Sequence, residues 1–208
     1  NILQGLKSGG EILKMGVVEK ETPLLEQGLR IIEKNHTRLF DLVKDMLGFS
    51  KDREPAFQEK NLVEILTDVV ELSIPMAKAN GAEIRFETFS DEVLAFIDPE
   101  GIHRTILNLI NNAIDAIREK SYGIINVKLK STDEAFIEIE VSDNGDGIKE
   151  ADLKLIFAPF QSSKGNSGTG LGLAVAKKTI EEHKGRIWVE SGPNKGASFY
   201  IRLPLKRH

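Results

Sequence analysis

The sequence lacks cysteine and has no long apolar run. None of its 208 residues is Cys, which excludes disulfides and thiolate metal sites and suits a reducing compartment. No stretch approaches the roughly 20 apolar residues that a membrane span needs, and no signal peptide opens the chain. We therefore expect a soluble, cytoplasmic fragment that makes no membrane contact itself. Its start at Asn1 leaves room for a membrane anchor in a longer parent protein.

A concentrated positive charge is also missing. The 28 Lys and Arg residues are interspersed with 32 Asp and Glu residues, for a formal net charge of -4. Such a surface offers no strong field to a nucleic-acid backbone, so we expect no nucleic-acid partner. The hydrophobic share of 40% is typical of a globular protein, and the length allows one ordinary domain with an accessory element.

Residues 1–52 show helical patterns on both sides of a break at Glu21-Thr22-Pro23. Thr22 can cap the second helix, and proline suits its first turn. Apolar residues and one histidine then follow in steps of four and three, which is a heptad pattern: Leu25, Leu29, Ile32, His36, Leu39, Val43 and Met46. Upstream, Gly9, Gly10 and Gly16 predict a shorter, glycine-loosened helix.

Two such helices bury little apolar surface alone. We therefore expect a helical hairpin that dimerises as a four-helix bundle, with a hairpin packed on the second domain as the alternative. Residues 53–60 are polar, contain Pro55 and lack periodicity, which predicts a linker.

Residues 61–208 predict a second domain of mixed helices and strands. Asn61 can cap its first helix. Further elements are expected in this order: strands at 84–86 and 93–97, a helix at 99–120, strands at 125–129 and 137–141, a glycine-rich stretch at 143–172, a helix at 171–183, and strands at 187–190 and 198–203. The fold class is therefore α+β, a two-layer α/β sandwich whose mixed, mostly antiparallel sheet is covered by helices.

The helix at 99–120 carries an unusual set of amides. Arg104, Asn108, Asn111, Asn112 and Asp115 share its polar face at helical spacing. Asparagine is a mediocre helix former, and its amide oxygen is a hard, neutral ligand that suits Mg²⁺. A merely solvated polar face is the alternative.

Two glycine-rich segments follow the central strands. In Asp143-Asn144-Gly145-Asp146-Gly147, a carboxylate at a strand end can accept a hydrogen bond from an exocyclic amine, although such a turn also occurs without a ligand. Residues 165–173, Gly-Asn-Ser-Gly-Thr-Gly-Leu-Gly-Leu, run into a helix whose N-terminus favours a phosphate. Lys164 can reach a terminal phosphate or remain solvated.

These segments occur in one order, together with Phe157-Ala158-Pro159-Phe160 and Gly196-Ala197-Ser198-Phe199. In this combination residues 61–205 resemble the ATP-binding domain of histidine kinases, in a superfamily that includes gyrase, a heat-shock chaperone and the mismatch-repair ATPases. Asn108-Leu109-Ile110-Asn111-Asn112-Ala113 is similar to the N box of that superfamily.

The resemblance implies a Mg-ATP site. It assigns Mg²⁺ to Asn112 with help from Asn108, the adenine amine to Asp143, and the shape of the base pocket to Gly145 and Gly147. Residues 144–169 would form a mobile lid. The remaining implied ATP-binding residues are Phe160 as a lid anchor, Lys164, Gly168, Thr169, Gly170, Leu171 and Gly172 at the phosphates, and Ser198 near the adenine.

The first residues, Asn1-Ile2-Leu3-Gln4-Gly5-Leu6, resemble the tail of a histidine kinase H box. The phosphoacceptor histidine would then precede Asn1, so we expect the fragment alone not to autophosphorylate. None of His36, His103 and His183 has H-box surroundings. Arg104 occupies the position at which many histidine kinases carry an acidic or amide residue, and arginine cannot act as a general base.

The resemblance implies that the intact protein autophosphorylates a histidine from Mg-ATP. It would then pass the phosphoryl group to an aspartate of a response regulator and act as a homodimer. Two alternatives remain open: an ATP-driven conformational clamp of the same superfamily, and a nucleotide-binding pseudokinase scaffold, which Arg104 favours.

Overall fold

The computed structural model describes residues 2–50, 54–118, 120–132, 135–161 and 170–205, without the side chains of 41, 44, 45 and 47–50. Contacts divide the chain into two compact units. One comprises Asn1–Asp52 and Phe160–Leu171, and the other comprises Arg53–Pro159 and Gly172–His208. Among the described residues, no helix combines the length and the apolar content needed to cross a bilayer.

The first unit contains a helical hairpin, as predicted, formed by α1 (Ile2–Glu19) and α2 (Thr22–Ser50). Lys20 joins them with a φ of 56°, in the left-handed region that commonly ends a helix. The Glu21 N–H donates to the Gly16 carbonyl (3.0 Å), and the Leu25 N–H donates to the Glu21 carbonyl (3.2 Å). The Glu21 carbonyl therefore starts α2, and Pro23 lies in its first turn, where a missing N–H costs nothing.

Gly9 of α1 and Gly28 of α2 are packing positions, which differs from the expected loosening of the helix. A Cβ on Gly9 would lie 2.8 Å from Ile32 Cγ1, and one on Gly28 would lie 2.8 Å from the Leu13 backbone N and 2.9 Å from the Gly9 carbonyl oxygen. Gly10, in contrast, has nothing within 4 Å of its ideal Cβ position. Glycine thus brings the two helices to backbone contact.

Only part of the predicted heptad pattern faces α1. Gly28 and Asn35 are buried, and the Asn35 side-chain amide donates to the Ile31 carbonyl at 2.8 Å. His36 is exposed, whereas Leu29, Val43 and Met46 are half-exposed. The apolar face of α2 is therefore broader than a single partner helix covers.

The second unit is the predicted α+β sandwich. Its elements are β1 (Gln58–Asn61), α3 (Leu62–Ala79), β2 (Ala82–Thr88), β3 (Leu94–Ile97), α4 (Pro99–Ala116), β4 (Gly123–Ser131), β5 (Phe136–Asp143), α5 (Glu150–Leu153), α6 (Gly172–Glu182), β6 (Arg186–Ser191) and β7 (Ala197–Pro204). The main sheet has the order β2-β4-β5-β7-β6, with β2 and β4 parallel and every other pair antiparallel. A small antiparallel sheet pairs β1 with β3.

Strand alternation and the apolar face of α4 build the core of this unit. Val127 pairs with Val141 and Leu129 with Ile139, and all four are 2% exposed or less. Ile110 on α4 is fully buried in the same apolar cluster. The predicted helix cap is also present, because the Asn61 side chain accepts a hydrogen bond from the Val63 N–H at 3.1 Å. One face of the main sheet is thereby fixed under the helices.

The largest differences from the sequence prediction concern one strand and one helix end. Residues 58–60, expected in the linker, belong to β1, whose exposed polar side chains show no apolar alternation because backbone pairing with β3 defines the strand. Helix α4 ends at Ala116 rather than at residue 120. The Ala116 carbonyl accepts the Asp146 N–H at 3.4 Å, and the Ile117 side chain turns into the core.

A buried histidine joins α6 to the segment before α4. His183 is 5% exposed; its Nε2 accepts the Asp98 N–H at 2.9 Å, and its Nδ1 lies 2.7 Å from the Thr179 carbonyl oxygen. The Phe57 ring lies edge-on, with centroids 4.8 Å apart. These partners require a neutral ring with the proton on Nδ1. Burial lowers the pKa of His183 below its ordinary value, more than the Thr179 carbonyl and the nearby Asp98 and Glu182 raise it.

We predict opposite effects for two glycine substitutions in the hairpin. Gly28→Ala forces the backbones apart and should lower the free energy of unfolding of the hairpin by about 1–3 kcal/mol. Gly10→Ala meets open space and should raise it by about 0.5–1 kcal/mol, because alanine restricts the unfolded chain and favours a helix. Denaturant unfolding of the full chain, followed by far-ultraviolet circular dichroism, measures both. Equal effects of the two substitutions would contradict the described helix contact.

A second prediction concerns pH. Since the pKa of His183 is lower in the folded than in the unfolded chain, the unfolded chain binds more protons below the ordinary value of 6.5. The contribution of His183 is thus fully present above about pH 6.5 and is lost as the pH falls through and below that value. Urea unfolding between about pH 7.5 and 5.5 should show this decline in the parent and in a His103→Gln control. In His183→Gln it should be smaller, and an unchanged decline there would refute the assignment.

Candidate functional site

The Asp143–Gly147 turn begins where β5 ends. The Asp143 carboxylate accepts the Gly145 N–H at 2.8 Å, so the side chain closes the turn on itself. A Cβ on Gly145 would lie 2.6 Å from the Ala116 carbonyl oxygen, and Gly147 has a φ of 72°. Because both positions are glycine, these two residues present backbone and no side chain beside the carboxylate.

A second turn, Gly192–Gly196 between β6 and β7, lies directly against the first. A Cβ on Gly147 would lie 2.0 Å from the Gly192 carbonyl oxygen, and one on Gly196 would lie 1.9 Å from the Asp143 carbonyl oxygen. The Asn194 N–H also donates to the Asp146 carbonyl at 2.7 Å. The two turns form one backbone surface, on which neither Gly147 nor Gly196 tolerates a side chain.

Asn144 ties the same turn to the start of β4. Its side-chain oxygen accepts the Ile124 N–H at 2.8 Å, and its side-chain nitrogen donates to the Tyr122 carbonyl at 3.1 Å. Nearby, the Lys120 ammonium lies 3.0 Å from an Asp146 carboxylate oxygen. This role of Asn144 was not among the predictions from sequence. Its position between an aspartate and a glycine, where Asn commonly bonds to backbone, was the available signal.

The amide-rich face of α4 meets the start of α6. The Asn108 side-chain nitrogen donates to the Gly172 carbonyl at 3.3 Å, and a Cβ on Gly172 would lie 3.2 Å from that nitrogen. Asn112 is half-buried one turn further along α4. The Asn111 side-chain oxygen is buried, without a hydrogen-bond partner among the residues that the structure describes. Amide oxygens thus concentrate on this face, and they are the hard donors that Mg²⁺ accepts.

Acidic and imidazole ligands do not gather into a metal site. The described parts of the chain contain no group of three or more His, Cys, Asp or Glu side chains that could hold an ion.

Phe160 and Gly170, which lie before α6 in the chain, are joined by a backbone hydrogen bond. The Phe160 N–H donates to the Gly170 carbonyl at 2.9 Å. Both residues have a positive φ, and the Phe160 side chain is 65% exposed. Leu171 is fully buried. Of the predicted phosphate residues, Lys164, Gly168 and Thr169 lie outside the described residues.

Ser198, which the resemblance places near the adenine, is one residue out of register with Asp143. Ala197 pairs with Asp143, whereas Ser198 pairs with Ser142. Because successive side chains of a strand point to opposite faces, Ser198 lies on the face opposite to Ala197 and the buried Phe199. The Gly-Ala-Ser-Phe pattern alone does not show whether Ala197 or Ser198 pairs with Asp143.

The motifs that build this site match a known protein family. Residues 97–207 match the family described as histidine kinase-, DNA gyrase B- and HSP90-like ATPase. Sporulation kinase E of Bacillus subtilis (strain 168) is 30% identical over 208 residues, which cover all of this chain and 27% of that protein. The chain thus spans about a quarter of the length of this curated relative.

Two solved structures show the same architecture. The catalytic domain of the histidine kinase ThkA is 31% identical, with a TM-score of 0.65, over 73% of this chain and 99% of that domain. ThkA in complex with the response regulator protein TrrA is 26% identical, with a TM-score of 0.76, over 99% of this chain and 60% of that one. The chain therefore belongs to the histidine kinase-, DNA gyrase B- and HSP90-like ATPase family, and within it to the sensor histidine kinases.

Proposed function

We propose that this chain binds ATP at the Asp143–Gly147 turn. The observation that carries the proposal is a strand-end carboxylate framed by backbone, since Gly145 packs against the Ala116 carbonyl and Gly147 against the Gly192 carbonyl. Asp143 would accept a hydrogen bond from the adenine amine, which guanine does not offer at that position. The phosphates would then extend toward α6.

The N-terminus of α6 is the proposed phosphate site. Its first backbone N–H groups and its positive dipole end favour an anion, and Gly172 begins the helix. We assign further phosphate contacts to Lys164, Gly168, Thr169, Gly170 and Leu171. Phe160, at the exposed base of the preceding segment, would anchor a lid when nucleotide is bound.

Asn112 and Asn108 are the proposed Mg²⁺ ligands. The Asn108 nitrogen donates to the Gly172 carbonyl, so its oxygen is the end of the amide that can face a metal ion. Mg²⁺ would neutralise phosphate charge and hold the terminal phosphate in line for transfer. Asn112, one helical turn away, would supply the principal protein oxygen.

The proposed reaction of the intact protein is phosphoryl transfer to histidine. An imidazole nitrogen attacks the γ-phosphorus, the bond to the β–γ bridging oxygen breaks, and ADP leaves. The phosphoryl group then moves to an aspartate of a response regulator. Arg104 cannot accept the histidine proton, so the base lies in the H box, or the transfer relies on positioning and Mg²⁺.

We further propose a homodimer in the cytoplasm, where ATP is available. The half-exposed Leu29, Val43 and Met46 on α2 and the exposed Phe40 offer an apolar surface for a second hairpin. A response-regulator receiver domain is the proposed partner, as ThkA binds TrrA.

The helical hairpin of α1 and α2 disfavours a clamp ATPase, which has no evident use for it. Arg104 is the observation that favours a pseudokinase scaffold.

Nucleotide binding is tested by calorimetric titration with a non-hydrolysable ATP analogue, with and without Mg²⁺. We expect Mg-dependent binding by the parent chain. Asp143→Asn should weaken it at least about tenfold, because the charged acceptor of the adenine amine becomes a neutral amide with a single acceptor oxygen. Asn112→Ala should abolish most of the dependence on Mg²⁺. Asp68→Asn, an exposed change on α3, is the charge-matched control and should bind like the parent. No binding by the folded parent chain would refute the proposal.

Phosphoryl transfer is tested in a chain with a His-x-x-Lys segment placed directly before Asn1. Incubation with Mg-ATP labelled at the γ-phosphate should yield acid-labile, base-stable label on this histidine. A version with Gln in place of that histidine should remain unlabelled, because neither His36 nor His103 has H-box surroundings. Nucleotide binding without label on the histidine version would instead support a pseudokinase.

A further inference from the structure

One row of residues crosses the sheet at the candidate base pocket. Ser191 at the end of β6 pairs with Ala197 at the start of β7, and Ala197 pairs with Asp143 at the end of β5. Directly paired residues point to the same face of a sheet, so these three lie on the helix-covered side. Ser191 and Asp143 are two strand spacings apart, or about 10 Å. Ser191 is therefore too distant to share the group that Asp143 binds.

The Ser191 hydroxyl is fully engaged with backbone. It accepts the Ile148 N–H at 2.8 Å and donates to the Gly196 carbonyl at 2.6 Å. Ile148 follows Gly147, and Gly196 ends the opposite turn. One side-chain oxygen thus joins the two backbone segments on either side of the glycine contact.

The position of this hydroxyl matters because the two turns are in direct backbone contact. Gly196 lies against the Asp143 carbonyl, and Gly147 lies against the Gly192 carbonyl, both too close for a Cβ. Backbone surfaces in such contact are held by the hydrogen bonds at their edges: Asn194 to Asp146 on one side, and Ser191 on the other. A shift of Gly196 would move the backbone on which the Asp143 carboxylate stands.

We infer that Ser191 is a positioning residue that sets base selectivity at the proposed ATP site. It contacts no base; it acts by holding Gly196 and Ile148, and through them Asp143. The inference rests on the proposed ATP binding.

Selectivity follows from the rigidity of the pocket. The adenine amine donates to Asp143, whereas guanine carries a carbonyl at the same ring position and would place acceptor against acceptor. If the two turns are rigid, the base cannot move to avoid that clash. If the turns are more mobile, the base can shift and the clash is relieved. Removing the hydroxyl leaves the Ile148 N–H and the Gly196 carbonyl without this partner, which makes the contact between the two turns more mobile.

The experiment compares Ser191→Ala and Ser191→Thr with the parent full chain. Titrations use Mg²⁺ with non-hydrolysable analogues of ATP and GTP. Ser191→Ala should weaken binding of the ATP analogue about 5- to 10-fold and the GTP analogue much less, so the ratio of the two affinities falls. Ser191→Thr keeps the hydroxyl and should retain most of the ratio.

Ser73→Ala is the matched control. The Ser73 hydroxyl donates to the Val69 carbonyl at 2.7 Å inside α3, and the residue is 1% exposed. Its loss removes a comparable buried hydrogen bond away from the turns and should leave the affinity ratio unchanged. If Ser191→Ala does not fold, Ser191→Thr against Ser191→Val gives the same comparison, since the two side chains have nearly equal shape and differ by the hydroxyl.

The outcomes separate the two proposals. A parent chain that binds neither analogue refutes the ATP site and, with it, the role of Ser191. A parent that prefers the ATP analogue, together with a Ser191→Ala variant that keeps the same ratio, refutes only the role of Ser191. Equal weakening of both analogues shows a general structural effect and likewise overturns the inference.

Discussion

The candidate site depends on the contact between two backbone turns, Asp143–Gly147 and Gly192–Gly196. The contact exists because glycine at positions 147 and 196 lets carbonyl oxygens occupy the space of a Cβ. Hydrogen bonds made by Ser191 and Asn194 hold the contact at its edges, and Asn144 joins the first turn to the start of β4. The carboxylate of Asp143 is thereby placed by main chain, which has fewer alternative conformations than side chains on a loop.

The core beneath the turns determines which residues meet at that contact. Apolar residues alternate along β4, β5 and β7 and fill the face covered by α4, so a slip of one residue would place a buried Ile or Val in water. The paired row of Ser191, Ala197 and Asp143 follows from this register. The apolar pattern of the strands therefore fixes the site indirectly, although none of those side chains takes part in its chemistry.

Sequence patterns sufficed for features governed by local periodicity. The hairpin, the sandwich, the Asn61 cap and the family all followed from apolar spacing and motif order. Features governed by tertiary pairing did not follow: β1 has no apolar alternation, and Ser198 differs from Ala197 only through strand register. The packing roles of Gly9 and Gly28 depend on the facing helix, so the sequence alone does not distinguish these glycines from others. The roles of Asn144 and Ser191 arise from hydrogen bonds to backbone distant in sequence, which composition does not reveal.

The bond between Asn108 and Gly172 has a thermodynamic consequence. One amide joins the helix that carries the proposed metal ligands to the first residue of the helix proposed to bind phosphate. If the proposed metal ion and phosphate bind at these two ends, a ligand that orders one end would lower the entropic cost of ordering the other, and binding at the two ends would be cooperative. By reciprocity, the metal ion would then raise phosphate affinity by the same factor by which phosphate raises metal affinity.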